Sequence, residues 1–480
     1  MALNLKRTLA WTKVLAAQSP EDAQWLAMLN DLQGNILKGH GRFHTANVFL
    51  NFPADKIDGA KAFLKQLAAK DVTSALQQLF DAQLHKSTGK NAGPFTAMFL
   101  TASGYKALGL VAVMPEGAAF RAGMDSRSTL NDPPRAAWDE TFQKDIHAMV
   151  LLAADDDDKQ SPLLRNELLD EFVKRVSLAS GAVDILGVEL GDQLRNGANR
   201  GIEHFGYIDG RSQPLMLEED IQAELPNGPT PGVWDPTIRL SQVIVRDPGG
   251  ELEVSCGSYF VFRKLEQNVR GFKSKELALA EANGGIEELA GASVVGRFEN
   301  GFPVIQLGHH QTDMPNLPNN TVTNAFDYTG DDAGLKCPYA AHIRKTNPRR
   351  PDAQEHLMAR RGITYGLRAD DPNGDEINDK PEGKVGLLFM SYQSNLENQF
   401  EFTQSSWANN ANFDFRAPNE VKPVGIDPII GQPFGAAPQQ FTEKWGESLG
   451  PRDDFSGFVT MKGGQYFFAP AISVLKRLAP

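Results

Sequence analysis

The sequence predicts an α+β fold built by duplication of one split β-α-β unit, and three observations carry that prediction. Strand-type apolar runs alternate with helix-type patterns in both halves of the chain. The stretch from Pro226 to Pro236 holds four prolines and marks a break near the middle. The 480 residues, 41% hydrophobic and 22% charged, suffice for several domains with cores of ordinary globular composition.

Taken in order, Asn47 to Phe52 reads as a strand, and Ala60 to Ala69 as a helix with Phe63, Leu64 and Leu67 on one face. Thr96 to Leu100 is the next strand, followed by a short helix from Gly104 to Leu108. Ile146 to Leu152 is a strand, Leu163 to Val176 a helix, and Val183 to Leu190 a strand. The second half repeats the pattern. Ser258 to Arg263 is a strand running into a helical Gln267-to-Leu279 region, and the strand Val385 to Tyr392 precedes a helix from Leu396 to Trp407. The expected division is an N-terminal domain over 1–230 and a C-terminal domain over 231–480.

Composition narrows the function. With 48 basic and 60 acidic residues the net charge is −12, and no basic block is present. Nucleic acid is therefore not an expected partner, because phosphate contacts need clustered Lys and Arg. No apolar run approaches the roughly 20 residues of a membrane span. Lys6 and Arg7 interrupt the N-terminus before a secretory core can form. A cytoplasmic location without membrane attachment is expected. Two cysteines, Cys256 and Cys337, exclude a disulfide framework and a four-cysteine metal or iron–sulfur site.

The nine histidines are also sparse. His40 and His44 have a spacing that would share a helix face, but Gly39 and Gly41 oppose a helix there. His309 and His310 are adjacent and would point to opposite faces of a strand. A haem iron needs only one protein ligand, since the porphyrin supplies four nitrogens.

Gly206-Tyr-Ile-Asp-Gly210 sets an acid between glycines in a tight turn, a weak signal by itself. It gains meaning from its companions. They are Leu32-Gln-Gly-Asn-Ile-Leu-Lys-Gly-His40, Phe205 to Pro214, Gly257-Ser-Tyr-Phe-Val-Phe-Arg263 and Val295-Gly-Arg-Phe-Glu-Asn-Gly-Phe-Pro303. Further on come Cys337-Pro-Tyr-Ala-Ala-His-Ile-Arg344, Arg360-Arg-Gly-Ile-Thr-Tyr-Gly366, Gly386-Leu-Leu-Phe-Met-Ser-Tyr392 and Phe458 to Pro470. In this order the blocks make the chain resemble the dye-decolourising peroxidase family of haem enzymes.

That resemblance implies two ferredoxin-like domains and one haem b per chain, bound mainly by the second domain. It implies reduction of hydrogen peroxide to water through a ferryl intermediate, with oxidation of dyes, phenols and other aromatic donors. The alternative is a haem protein of the same fold that handles haem or releases iron. Homo-oligomerisation is left open.

Carried over by motif, His342 is the implied proximal iron ligand, with His309 and His310 as rivals, and Glu397 is the implied carboxylate partner of that histidine. Peroxide must lose a proton to bind iron, and the proton must then reach the outer oxygen. Asp209 resembles the acid–base residue for this transfer. Arg360 is the implied donor to the leaving oxygen, with Arg361 as the register alternative. Arg297 is the candidate partner of a haem propionate, and Leu387 and Phe389 are the candidate apolar walls. Bacterial members often carry an Asn two positions after the arginine. Here that position is Gly362, so the Asp–Arg pair is expected to act alone. An aspartate in this role predicts activity that is best in acid. Tyr339 and Trp407 lie near these blocks in sequence and are the first aromatics to test as electron relays.

Overall fold

A computed structural model describes every residue except 1, 17–18, 92, 158, 160, 227, 229–232, 307–323, 373, 375, 436 and 480. The expected domain boundary at 230/231 and the rival ligands His309 and His310 lie outside the described residues. The strands in chain order are β1 (His44–Asn51), β2 (Phe95–Leu100), β3 (Ala148–Ala153), β4 (Asp184–Asp192), β5 (Val245–Arg246) and β6 (Cys256–Gln267). They continue with β7 (Ala359–Arg360), β8 (Ile363–Tyr365), β9 (Gly386–Gln393), β10 (Gln439–Lys444), β11 (Ser448–Asp453) and β12 (Val459–Ala469).

One antiparallel sheet runs in the order β4-β1-β3-β2-β12-β6-β9-β7, with β5 on β6 and β8 on β9, while β10 and β11 form a separate hairpin. This order contains the same unit twice. The first repeat is β1, the helices Ile57–Lys70 and Ala75–Thr88, β2, β3, the helix Leu163–Leu178 and β4. Its spatial order is fourth, first, third, second, which is the split β-α-β arrangement. The second is β6, the helices Val269–Ala282 and Glu287–Val295, β7 with β8, β9, the helical segment from Glu397 to Ala408, and β12. Its order, β12-β6-β9-β7, is the same. The fold is therefore α+β with two ferredoxin-like units, as the sequence predicts.

The repeats meet where β2 lies beside β12, through the single register pair Phe468↔Leu100. Aromatic packing reinforces this short seam. Phe99 stacks on Phe260 at 4.3 Å between centroids, and Phe49 meets Phe262 edge-on at 5.1 Å. Such pairs add about 0.5–1.5 kcal/mol each beyond burial. The outer edges also approach each other. Thr364 in β8 donates its hydroxyl to Asp192 O at 2.6 Å and accepts the N–H of Leu194 at 2.7 Å. The chain leaving β4 is thereby delivered beside Arg360, and the next hairpin carries Asp209.

One predicted helix differs in kind. The segment expected to be α-helical from Leu396 to Trp407 is π-helical over Glu397–Glu401 and Thr403–Ala408. The wider turn is typical of functional sites, and here it turns Phe400, Thr403 and Gln404 toward a cavity.

Candidate active site

That cavity, about 520 Å³, opens against β9 and lies within the usual range of ligand sites, about 300–1,000 Å³. Strand alternation explains its apolar wall. In β9, Leu388 and Met390 are fully buried in the core, while Leu387 and Phe389 on the other face are only half-buried and line the cavity. Ile363, Ile429, Ile430 and Val295 add to that lining.

Asp209 ends a small hairpin. Ile202 and Ile208 form an antiparallel bridge, and the N–H of Asp209 donates to Gly201 O at 3.3 Å. Gly206 and Gly210 take φ of +102° and +74°, conformations that suit glycine. Asp209 lines the cavity. Arg360 lines it too, held by its own N–H to Gln213 Oε1 at 3.1 Å and by Nη2 to Ser212 O at 3.3 Å. Burial lowers the pKa of this guanidinium, and the charge of Asp209 partly offsets that. Arg361 spends its donors on backbone carbonyls of Asn35, Ile36 and Arg360. Of the two arginines, Arg360 is thus the one whose geometry suits a ligand.

His342 begins the short helix His342–Thr346 and lines the cavity. Its Nδ1 bonds Asp427 Oδ2 at 2.9 Å and Oδ1 at 3.1 Å. Asp427 has a fully buried side chain and accepts further bonds from the N–H groups of Ile429 and Ile430 at 2.8 and 2.9 Å. Burial would lower the imidazole pKa, but the Asp427 charge and hydrogen bond outweigh it, so the net direction is upward. Burial would likewise raise the Asp427 carboxyl. The His342 charge and the N–H donors bring it below the usual carboxylate range instead. With Nδ1 engaged, Nε2 is the ring nitrogen left for a metal.

The expected partner of His342, Glu397, is corrected by this geometry. Glu397 accepts the backbone N–H of Ala119 at 2.7 Å, at the start of the helix Ala118–Ala122, and does not line the cavity. Its position at the first π-turn aims it at the N-terminal half. Sequence reasoning missed Asp427. The available signal was a lone acid in the apolar, Gly- and Pro-flanked stretch Val424 to Ile430, since a buried acid needs a partner.

Arg297 lines the cavity as expected, and Arg349, not singled out from sequence, lies beside it. Arg297 donates to Gly301 O at 2.8 Å and to Asn324 Oδ1 at 2.8 Å. Arg349 donates to Asn324 O, Phe326 O and Ser212 Oγ, all neutral acceptors. Burial pulls Arg297 down to about 9 and Arg349 down to about 10, and the mutual repulsion contributes at Arg297. Trp407 is buried, stacks on Phe413 at 5.3 Å, and meets edge-on the cavity residue His356 at 5.1 Å. Tyr339 lies away from the cavity lining, donating its hydroxyl to Asp332 O at 2.9 Å.

Residues 235–416 match the sequence family described as Dyp-type peroxidase, C-terminal. The whole chain is 42% identical over 498 aligned residues to the multifunctional dye peroxidase DyP2 of an Amycolatopsis species, covering 100% of both. The chain belongs to the dye-decolourising peroxidase family. The solved structure of Amycolatopsis DyP2 is similar to this peroxidase with a TM-score of 0.87 at 41% identity, covering 99% of this chain and 100% of that one. The DyP-type peroxidase of an Anabaena species gives 0.85 at 38% identity, covering 100% of each. A dye-decolourising peroxidase in complex with 2,6-dimethoxyphenol gives 0.75 at 28% identity, covering 94% of this chain and 98% of that one. Dye-decolourising peroxidases are haem enzymes, and this chain is accordingly an oxidoreductase.

Proposed function

We propose that this dye-decolourising peroxidase holds one haem b per chain on His342, reduces hydrogen peroxide to water, and oxidises dyes, phenols and similar aromatic donors. The carrying observation is that His342, bonded from behind by Asp427, opens onto the same cavity as Asp209 and Arg360. The residues present fit such a group. Apolar side chains suit a flat macrocycle, and the buried Arg349 guanidinium, whose hydrogen-bond acceptors Asn324 O, Phe326 O and Ser212 Oγ are neutral, suits an anionic group such as a propionate.

When bound, the haem would supply an iron centre for two-electron chemistry with peroxide. Asp427 orients the imidazole and raises its basicity as a ligand. Asp209 takes a proton from one peroxide oxygen and returns it to the other, so that the O–O bond breaks with loss of water. Arg360 donates to the leaving oxygen as its negative charge grows. Aromatic substrates would supply the two electrons, and solvent the two protons, that complete reduction of the second peroxide oxygen to water. Trp407 is the better-placed relay of the two aromatics, because His356 connects it to the cavity.

We assign 1–230 and 231–480 to the two domains, since β4 closes the first repeat and β6 opens the second. Both cysteines are free and buried, which suits a reducing compartment and supports a cytoplasmic location. Among the described residues no helix is long and apolar enough to cross a membrane. The test is a haemin titration followed by peroxide, with and without a dye, in the wild type, His342→Ala and Asp209→Asn. A Soret band lost in the first variant and a slowed peroxide step in the second are expected. No Soret band in the wild type would overturn the reading, and iron or free porphyrin released without peroxide would replace it with haem handling.

A further inference from the structure

Glu203 lines the same cavity as Asp209 and has no part in the mechanism above. Its carboxylate holds the turn that leads to Asp209. Oε2 accepts the N–H of Phe205 at 2.9 Å, and Oε1 accepts the N–H of Tyr207 at 3.0 Å. The main chain of Glu203 closes the same turn, donating to Tyr207 O at 3.0 Å and accepting the N–H of Gly206 at 3.0 Å. The turn has few alternatives. Gly206 sits at φ +102°, and a Cβ there would lie 2.9 Å from Glu299 Oε1.

A third donor comes from the second repeat. Gln267, the last residue of β6, gives its amide to Glu203 Oε2. Glu203 thus ties the hairpin that follows β4 to the end of β6 in the second repeat. Burial pushes Glu203 up to about 7 against its hydrogen bonds, and the charge of Asp209 adds to the rise.

We propose that Glu203 is a positioning residue for Asp209. By binding both N–H groups of the turn and the Gln267 amide, it fixes the height and aim of the Asp209 carboxylate over the cavity. A misplacement near 1 Å is worth up to about 100-fold in rate, so this clamp governs how fast peroxide is activated. The inference rests on the role of Asp209 proposed above.

The test uses the haem-loaded enzyme and reads the second-order rate constant for peroxide in the wild type, Glu203→Gln, Asp209→Asn and the double variant. Glutamine keeps the shape but offers one acceptor oxygen to three donors. Glu203→Gln is expected to slow the peroxide step about tenfold or more with the Soret band and the KM for a dye unchanged. In the Asp209→Asn background the same change should alter the rate by less than about twofold, since it acts through Asp209. Equal slowing in both backgrounds, or none in the wild type, overturns the proposal. If Asp209→Asn itself reacts as fast as the wild type, the reading of Asp209 has failed as well. Should Glu203→Gln not fold, Gln267→Met carries the test: a smaller slowing confined to the Asp209-containing enzyme supports the clamp, and an unchanged rate overturns it.

Discussion

Strands β3 and β9 occupy the same place in the two repeats and differ on one face. Every residue from Ala148 to Ala153 is buried, whereas Leu387 and Phe389 in β9 stand half-open between buried neighbours. In the first repeat, the connection at 52–94 consists largely of helices that pack back on the sheet, and Phe63, Leu64 and Leu67 join the main core. In the second, the connection spans 268–358 and includes the His342 helix and Arg349, which stand off from β9 and leave the cavity between. The duplicated scaffold supplies the fold, and the site arises where one copy leaves a sheet face uncovered.

The largest contrast is chemical. Asp209 lies beyond β4, the last strand of the first repeat, and lines the cavity on the bared face of the second. Asp209→Asn should slow the peroxide step by about 10²–10⁴-fold in stopped-flow measurements, with the Soret band retained. A paired truncation breaks the comparison directly. Leu151→Ala in β3 should destabilise the protein by about 2–5 kcal/mol in urea unfolding. Leu387→Ala should change the haem-free protein by less than about 1 kcal/mol, because its side chain already borders open space, and should instead weaken haem binding.

Asp427→Asn leaves His342 in place but removes its charged partner, and haem affinity should fall about 10–100-fold in haemin titrations. A pH dependence of comparable size arises at Glu203. Glu203 is raised from 4.5 to about 7 in the folded chain, so the folded state holds its proton more tightly than the unfolded state. The associated stability is fully present below the unfolded value and is lost as pH rises through about 7. Glu203→Gln cannot lose it. Its stability relative to the wild type should improve by about 1–3 kcal/mol between about pH 5 and pH 8, the lower figure allowing for screening at the cavity wall.

The sequence revealed what local pattern controls. The helix Leu163–Leu178 and strands β2, β3 and β9 lie within a residue or two of their expected positions, because apolar periodicity directly reflects burial. The helix Ala75–Thr88 went unassigned despite Ser74 capping its start through Gln77 N and Gly89 closing its end at φ +75°; its apolar face is weakly marked. At the site, Asp209, Arg360, His342, Arg297, Leu387 and Phe389 all reach the cavity. The partner of His342 was misassigned because Asp427 lies 85 residues away and is brought close only by tertiary folding. Glu397 follows β9 at a plausible distance in sequence, but the π-turn, which no periodicity signals, directs it to Ala119.

The comparison between the two repeats is tested most directly by amide hydrogen exchange of the protein with and without haemin. Protection should rise along Gly386–Gln393, His342–Thr346 and the hairpin carrying Asp209, while Ala148–Ala153 stays unchanged. Protection gained in Ala148–Ala153 and absent from Gly386–Gln393 would contradict the assignment of the haem to the bared face of the second repeat.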